Sequence, residues 1–151
     1  MDFRVTSRMR ARLEEYGGYH RSLANERCHF LGIPLIVAGL GTLLAYLRIA
    51  TLWGFELTAT EIVLALVAAF YLVEARWLGV VTTVLMVLLG ELAKPLPLWA
   101  GLTLFLGGWA IQFIGHSRFE HRSPAFIKNL VHLLVGPAWL VERAAKPKSA
   151  P

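Results

Sequence analysis

Long runs of apolar, uncharged residues occupy the middle of the chain. Asp, Glu, Lys and Arg are absent from the 20 positions 28–47, the 14 positions 77–90 and the 23 positions 95–117. A hydrocarbon layer about 30 Å thick is crossed by roughly 20 helical residues, so the first and last runs are long enough to span a membrane. The pattern predicts an all-α, polytopic membrane bundle with four transmembrane helices, at 30–47, 57–73, 77–92 and 96–115.

The two middle spans have weaker patterns than the outer two. Glu61 interrupts the span at 57–73, and the 14 uncharged residues at 77–90 make only about 21 Å of helix. Charged side chains at the helix ends could extend to the interface and let the third span cross. The alternative is a short helical hairpin that does not fully cross the membrane.

A further, amphipathic helix is predicted after the fourth span. Ser123-Pro124 combines an N-cap residue with a first-turn proline, and Gly136-Pro137 is typical of a helix end. With one apolar face, the helix would lie in the membrane interface. Its apolar positions are Phe126, Ile127, Leu130, Val131 and Leu134, and its polar positions are Lys128, Asn129 and His132.

Composition narrows the class of protein. Charged residues make up 17% of the 151 residues, against about 25% in an average protein, and hydrophobic residues make up 56%. Intrinsic disorder and a nucleic-acid-binding module are excluded because each needs a more polar or more charged chain. The single cysteine, Cys28, excludes an internal disulfide framework and a four-cysteine metal site.

The basic residues predict the orientation of the chain. Six Lys and Arg precede the first span, one lies in each of the three connections (Arg48, Arg76 and Lys94), and six follow His116. An even number of spans places both basic ends on one side, which the positive-inside rule makes cytoplasmic. The membrane would be the inner membrane of a bacterium or the endoplasmic reticulum of a eukaryote.

We interpret the chain, residues 1–151, as a single membrane domain. An N-terminal interfacial and metal-binding segment covers 1–29, the transmembrane helices cover 30–115, and a second metal motif with the amphipathic helix covers 116–142. A basic tail covers 143–151.

The five histidines form two groups that the predicted topology brings to one membrane face. His20 and His29 precede the first span, and His116, His121 and His132 follow the fourth. At 100° per residue His116 and Glu120 lie about 40° apart on a helix, whereas His121 lies about 140° from His116. A metal could therefore take His116 with Glu120, but hardly His116 with His121. Alternatively, the histidines lie near lipid headgroups without a shared role.

His20 and His29 are nine residues apart, which is half a rotation of a continuous helix. They could share one centre only if the chain turns between them, and Gly17-Gly18 and the residues from Ser22 to Asn25 offer such breaks. Asn25 precedes His29 by four residues and could hold a ring nitrogen or a metal-bound water. The alternative role for Asn25 is a helix N-cap.

Two separated motifs carry a resemblance to a known family. Residues 19–29 read YHRSLANERCH and are followed by Gly32-Ile33-Pro34, while residues 112–125 read QFIGHSRFEHRSPA and are followed by Asn129-Leu130, Pro137 and Glu142. Both resemble signatures of the small membrane family of the yeast 2-hydroxy-palmitate dioxygenase. The resemblance covers the chain from about Glu15 to Glu142, with only hydropathy in the middle.

The resemblance implies an iron(II)-dependent dioxygenase that shortens a 2-hydroxy fatty acid by one carbon, a step of fatty acid α-oxidation. It implies Fe(2+) as cofactor, with His20, His29 and His116 as ligands and Glu120 as the acidic residue of the site. His121, Lys128 and His132 depart from the family pattern and are poor candidates. Imidazole and carboxylate ligands with open positions suit non-haem Fe(II), which a 2-hydroxy acid can chelate through its hydroxyl and carboxylate oxygens.

The same two motifs also contain candidate catalytic and substrate-binding residues. Asn25 and Glu120 are the candidate catalytic residues. Four arginines beside the histidines could hold the substrate carboxylate, or could contact lipid headgroups instead: Arg21, Arg27, Arg118 and Arg122.

Two other classes of function are alternatives to an enzyme. A metal- or haem-binding membrane module without catalysis would use the same histidines. A transporter or channel is disfavoured, since the spans hold little polarity beyond Glu61, Gln112 and scattered Ser and Thr. The expected partners are a 2-hydroxy fatty acid, dioxygen and membrane lipid, with no nucleic acid.

Overall fold

Four antiparallel helices form the centre of the molecule. The computed structural model describes residues 5–121, 123–127 and 129–146. In this part of the chain the central helices are α2 (Leu23–Ala45), α3 (Ala59–Glu74), α4 (Arg76–Ala93) and α5 (Leu98–Ile114), and α5 continues into a π-helical turn, Gly115–Glu120. A terminal helix precedes them, α1 (Ser7–Gly18), and another follows them, α6 (His132–Ala145). An antiparallel hairpin of β1 (Arg48–Leu52) and β2 (Phe55–Thr58) joins α2 to α3.

Helices α2 and α5 approach each other most closely because glycines face each other along the contact. A Cβ atom at Gly39 would lie 2.5 Å from the backbone nitrogen of Phe105, and one at Gly108 would lie 2.8 Å from the carbonyl oxygen of Gly32. A Cβ atom at Gly101 would lie 2.7 Å from Thr42. Small residues are what permits such contact between membrane helices. The contact aligns the start of α2 with the end of α5, which are the parts that carry His29 and His116.

Hydroxyl groups tie the helices together at the opposite end of the bundle. The Thr42 hydroxyl donates to the carbonyl oxygen of Ala93 at 2.7 Å, and the Thr60 hydroxyl donates to that of Gly41 at 2.9 Å. Thr58 caps α3, and the Glu61 carboxylate accepts from the Thr58 backbone N–H to complete a capping box. Glu61 also pairs with Lys94. The charge that interrupts the second predicted span is therefore a helix-start residue with a cationic partner.

The two terminal helices pack together over the other end of the bundle. Their buried apolar side chains include Met9, Leu13, Val135 and Ala138, which belong to one cluster with Tyr71 and Leu78 of the bundle. Ion pairs join the layers at this end: Arg8 contacts Glu74 at 3.2 Å, and Arg143 contacts Glu26 at 3.0 Å. Both terminal helices thus lie at one end of the molecule, as an even number of bundle helices requires.

The predicted all-α membrane bundle is confirmed, with changes in its boundaries. In the described residues three helices are long and apolar enough to cross a membrane: Leu23–Ala45, Arg76–Ala93 and Leu98–Glu120. Helix α3 has 16 residues and is shorter than these. Helix α2 begins at Leu23 rather than at position 30, because Ser22 caps it and its polar first turns lie against the terminal helices. The β-hairpin at Arg48–Thr58 was not predicted, since its alternation is too short to distinguish it from a loop.

The prediction for the chain after the fourth span is wrong in its helix boundaries and in its polar face. A short 3₁₀ turn covers Ala125–Ile127, and α6 runs through Gly136-Pro137 to Ala145. Gly136 packs against the bundle end, where a Cβ atom would lie 2.9 Å from the hydroxyl oxygen of Tyr16. His132, which was assigned to the polar face, is 1% exposed. Lys128, from the same predicted face, lies outside the described residues, as does the tail from position 147 onward.

Candidate metal centre

His20 lies in the short segment, residues 19–22, that joins α1 to α2. Its Nδ1 lies 2.6 Å from the carbonyl oxygen of Tyr16, and its ring stacks on the Tyr16 ring with centroids 4.2 Å apart. Because a carbonyl oxygen only accepts hydrogen bonds, Nδ1 of His20 carries the proton. Its Nε2 is then the free electron-pair donor.

His29 lies on α2 and is held in the same way. Its Nδ1 lies 2.9 Å from the carbonyl oxygen of Asn25, so Nδ1 is again the donor and Nε2 is free. The two Nε2 atoms of His20 and His29 are 2.9 Å apart. Two lone pairs at this distance repel unless a cation or a proton lies with them. Burial lowers the pKa of His20 to about 4, which disfavours a second proton, on Nε2, at neutral pH.

His116 completes the cluster from the opposite side. It stands in the π-helical turn at the end of α5, and its ring centroid lies 4.8 Å from that of His20 and 4.9 Å from that of His29. Nδ1 of His116 is buried and has no hydrogen-bond partner among the described residues. Single π-helical turns occur frequently at functional sites, and this one sets the direction of the His116 side chain.

The three imidazoles fit a metal ion. Within the described chain, one ligand atom from each of His20, His29 and His116 lies within 4.8 Å of the other two, and all three residues are buried. The hydrogen bonds of His20 and His29 to carbonyl oxygens are the kind that orient metal-binding histidines and fix their tautomer. Imidazole nitrogen is a ligand for zinc, copper, nickel and iron, so the cluster defines a class of metal rather than one metal.

Glu120 reaches the start of α2. Its Oε1 accepts a hydrogen bond from the backbone N–H of Ser22 at 2.7 Å and one from the side-chain amide of Asn25 at 3.3 Å. A carboxylate at a helix N-terminus is favourable because unpaired N–H groups and the helix dipole point at it. Glu120 thereby connects the π-helical turn that carries His116 to the helix that carries His29.

Asn25 is fully buried between these parts. Its backbone carbonyl accepts from His29, and its side-chain amide donates to Glu120 and, at 3.4 Å, to the Tyr19 carbonyl. The helix N-cap is Ser22, so the N-cap interpretation of Asn25 is wrong. Gly115 leaves the space for the Asn25 side chain, since a Cβ atom there would collide with Oδ1 of Asn25.

A cavity of about 390 Å³ extends from the histidines into the bundle. His29 and His116 line its head, and mainly apolar residues of α2, α3, α4, α5 and α6 line the rest, down to Leu44 and Leu64. Ligand pockets usually enclose roughly 300–1,000 Å³. The shape and lining suit a molecule with a polar head and a long apolar tail.

The other predicted site residues lie outside the metal cluster. His121 is exposed with a left-handed backbone, φ 50°, just after the π-helical turn. Arg21, Arg27 and Arg118 are exposed and do not line the cavity. Arg122 lies outside the described residues.

Three aromatic or imidazole side chains near the centre were not predicted. Tyr16 stacks on His20, Trp139 lies 5.1 Å from the His20 ring, and His132 lies 6.0 Å from the Tyr16 ring between ring centroids. Burial raises the pKa of Tyr16, so its hydroxyl stays protonated. The spacing of Tyr16 four residues before His20, one helical turn, is the signal that could have identified it. His132 and Trp139 come from α6, whose packing the sequence pattern did not indicate.

These features define a helical membrane protein with a buried three-histidine cluster at the head of an apolar cavity. Comparison with known proteins gives its family: the chain belongs to the Mpo1-like family of 2-hydroxy-palmitic acid dioxygenases, whose model matches residues 6–147. It is 31% identical over 131 residues to the 2-hydroxy-palmitic acid dioxygenase MPO1 of Saccharomyces cerevisiae, an alignment that covers 84% of this chain and 73% of the yeast protein. No solved structure matches the chain significantly. The resemblance seen in the two histidine motifs is therefore confirmed.

Proposed function

We propose that this chain is an iron(II)-dependent dioxygenase that converts a 2-hydroxy fatty acid into the fatty acid one carbon shorter. The observation that carries the proposal is the convergence of His20, His29 and His116 at the head of an apolar cavity inside a membrane bundle. The activity in the name of the yeast relative, 2-hydroxy-palmitic acid dioxygenase, supports the substrate class.

The proposed reaction balances with dioxygen as the oxidant. R–CH(OH)–COOH and O2 give R–COOH, CO2 and H2O. The bond between the carboxyl carbon and C2 breaks, and C2 becomes the carboxyl carbon of the shorter acid. The hydroxy acid loses four electrons, which dioxygen accepts.

The chain's own residues prepare the centre for this chemistry. The carbonyl oxygens of Tyr16 and Asn25 hold the protons of His20 and His29 on Nδ1, so that both Nε2 atoms are ready to bind a metal. Fe(II) bound by these imidazoles would supply one-electron chemistry and open positions for dioxygen and a chelating 2-hydroxy acid. Asn25 and Glu120 hold the two histidine-bearing segments together, and we propose this positioning as their contribution to catalysis.

The cavity supplies the binding energy for the substrate tail. Each methylene group moved from water into an apolar wall is worth about 0.8 kcal/mol. The walls below the histidines are aliphatic and aromatic, with Ile36, Leu40 and Phe105 among them. A substrate bound in this way keeps its polar head at the imidazoles and excludes water from them.

The test is turnover by purified protein loaded with iron. With 2-hydroxypalmitate and oxygen we expect pentadecanoic acid by mass spectrometry, with one dioxygen consumed per acid formed. Palmitate, which lacks the 2-hydroxyl group, is the control substrate and should give no product. Tight iron binding without product from 2-hydroxypalmitate would favour a metal-binding module without catalysis.

A further inference from the structure

Gln112 is a buried amide in an otherwise apolar stretch of α5. It is 5% exposed, and its neighbours Ile111 and Phe113 are apolar. It stands four residues before His116, one helical turn deeper in the bundle, and it lines the cavity. A Cβ atom at Gly32 would lie 3.2 Å from Nε2 of Gln112, so the amide lies against α2 just below His29.

The Gln112 amide has no hydrogen bond to another side chain or backbone group in the described part of the chain. The amide is open to the cavity rather than enclosed by protein. A polar residue inside a membrane bundle that faces a cavity is by default a candidate functional residue. A ligand in the cavity would supply the hydrogen-bond partner that the Gln112 amide lacks.

The other polar side chains that line the head of the cavity have different surroundings. Tyr16 stacks on His20, with its hydroxyl directed toward Gly136. His132 lies 3.4 Å from the carboxylate of Glu15, which would repel an acid. The exposed arginines beside the motifs do not line the cavity.

We propose that Gln112 is a specificity-determining residue that recognises the polar head of the substrate. Its Nε2–H donates a hydrogen bond to a carboxylate oxygen of the bound 2-hydroxy acid, while the tail extends toward Leu44. This inference rests on the proposed function for the identity of the ligand. A neutral amide suits the task because it donates to the acid without adding a second anion.

Ligand-binding measurements can distinguish recognition of the polar head from a change in the shape of the cavity. Iron-loaded protein is titrated without oxygen, so that no turnover occurs, and tryptophan fluorescence, to which Trp109 in the cavity wall contributes, reports occupancy. Gln112→Met keeps the length of the side chain and removes the donor. A hydrogen bond to a charged group is worth about 1.5–3 kcal/mol, so the Kd for 2-hydroxypalmitate should rise roughly 10- to 100-fold. The Kd for hexadecane, which has no polar head, should not rise.

Two further variants complete the test. Gln112→Glu has the same shape and adds an anion, so it should weaken 2-hydroxypalmitate binding at least as much as Gln112→Met. Thr103→Val, on the exposed side of α5 with its hydroxyl bonded to Trp99, is the matched control and should bind like the wild type.

Steady-state kinetics provide an independent reading. Gln112→Met should raise KM more than it lowers kcat, because the lost contact is made in the bound substrate. Unchanged 2-hydroxypalmitate binding in Gln112→Met, or an equal loss for hexadecane, would overturn the role of Gln112. Wild-type protein that binds 2-hydroxypalmitate through Gln112 but never forms the shorter acid would instead overturn the proposed reaction.

Discussion

At the scale of single residues, three histidines from two distant motifs define the site. His20 and His29 each use Nδ1 to bond a backbone carbonyl, which leaves both Nε2 atoms directed at each other. This arrangement depends on the carbonyl oxygens of Tyr16 and Asn25 as much as on the imidazoles. Substitutions that move either backbone carbonyl should therefore affect the centre without touching a ligand.

Replacement of any one histidine in the cluster by alanine should remove the metal. His20→Ala, His29→Ala and His116→Ala each delete one of the three nitrogen donors, and we expect iron content to fall at least roughly tenfold. The measurement is metal analysis of purified protein. His121→Ala is the matched control, because His121 is exposed and follows the π-helical turn. Loss of iron in His121→Ala with retention in His116→Ala would show that the site has been assigned wrongly.

Glu120→Gln should leave folding intact but impair the centre. The amide keeps one acceptor oxygen and loses the charge that faces the start of α2, so the contacts to Ser22 and Asn25 weaken. Positioning contacts of this kind are typically worth 10- to 100-fold in metal affinity or activity. Glu120→Ala should be no milder.

Iron content and turnover measure the effect of Glu120, with the exposed Glu14→Gln as control. Values like those of the wild type would mean that Glu120 is a solvated surface residue and that the histidines alone build the site.

The candidate site was predictable where residue type and spacing identify a role, and not where packing decides. The histidine motifs indicated His20, His29 and His116, and the helix angle separated His121 from them. The burial of His132 could not be predicted, because it depends on α6 folding back over the bundle end. The sequence also drew attention to nearby arginines, whose exposure follows from tertiary packing alone.

At the scale of elements, the contact between α2 and α5 holds the centre together. Gly32 and Gly39 of α2 meet Gly108 and Gly101 of α5, and the same line continues to Asn25 and Gly115 at the histidines. A change in the spacing of these two helices would separate His29 from His116. The hydropathy pattern predicted both helices but not that they are neighbours, since an apolar run gives no information about its partner.

Gly108→Ala should destabilise the bundle and lower its metal content. The added Cβ atom would lie 2.7 Å from Ile36 and 2.8 Å from the Gly32 carbonyl oxygen, so α2 and α5 must move apart. Overpacking of this kind typically costs about 1–3 kcal/mol. Thermal unfolding in detergent and iron analysis give the two readouts.

The adjacent Gly107→Ala is the control for Gly108, because nothing lies within 4 Å of the Cβ position at Gly107. Equal destabilisation by the two substitutions would show that the close α2–α5 contact at Gly108 does not determine stability here.

The depth of the cavity should set the preferred length of the substrate. Leu40 lines the wall eleven residues beyond His29, about 16 Å along α2. Leu40→Trp fills the lower part of the cavity, so the rate with 2-hydroxypalmitate should fall relative to the rate with 2-hydroxyoctanoate. Leu66→Trp is the matched control, because Leu66 is exposed on the outside of α3. An unchanged ratio of the two rates in Leu40→Trp would show that the tail does not occupy this part of the cavity.

At the scale of the whole molecule, the terminal helices and the metal centre share one end of the bundle. Charge counting predicted that the ends lie together, and the packing of α1 on α6 agrees with it. The packing of α1 and α6 around the histidines could not be predicted from the sequence. It depends on ion pairs such as Arg143 with Glu26, which leave no periodic pattern in the sequence. The helix ends also depend on capping residues such as Ser22 and Thr58, so the helices do not begin where the apolar runs begin.

Both termini should be cytoplasmic. Six basic residues precede the first span and six follow His116, whereas each connection carries one, and cytoplasmic segments are enriched in Lys and Arg. Reporters fused after Pro151 and before Met1 should be active only in the cytoplasm. A C-terminal reporter that is active only in the periplasm or the lumen would contradict this orientation and the placement of the centre at the cytoplasmic face.

The three histidines lie far apart along the chain, which affects when the site can form during biosynthesis. His20 and His29 leave the ribosome early, whereas His116 follows the last helix of the bundle, and the described chain holds the three together only where α5 has returned beside α2. A nascent or truncated chain therefore carries an incomplete ligand set. If the chain binds iron as proposed, metal loading would follow insertion, and the iron content of a preparation would set a lower bound on the fraction of molecules whose membrane assembly has been completed.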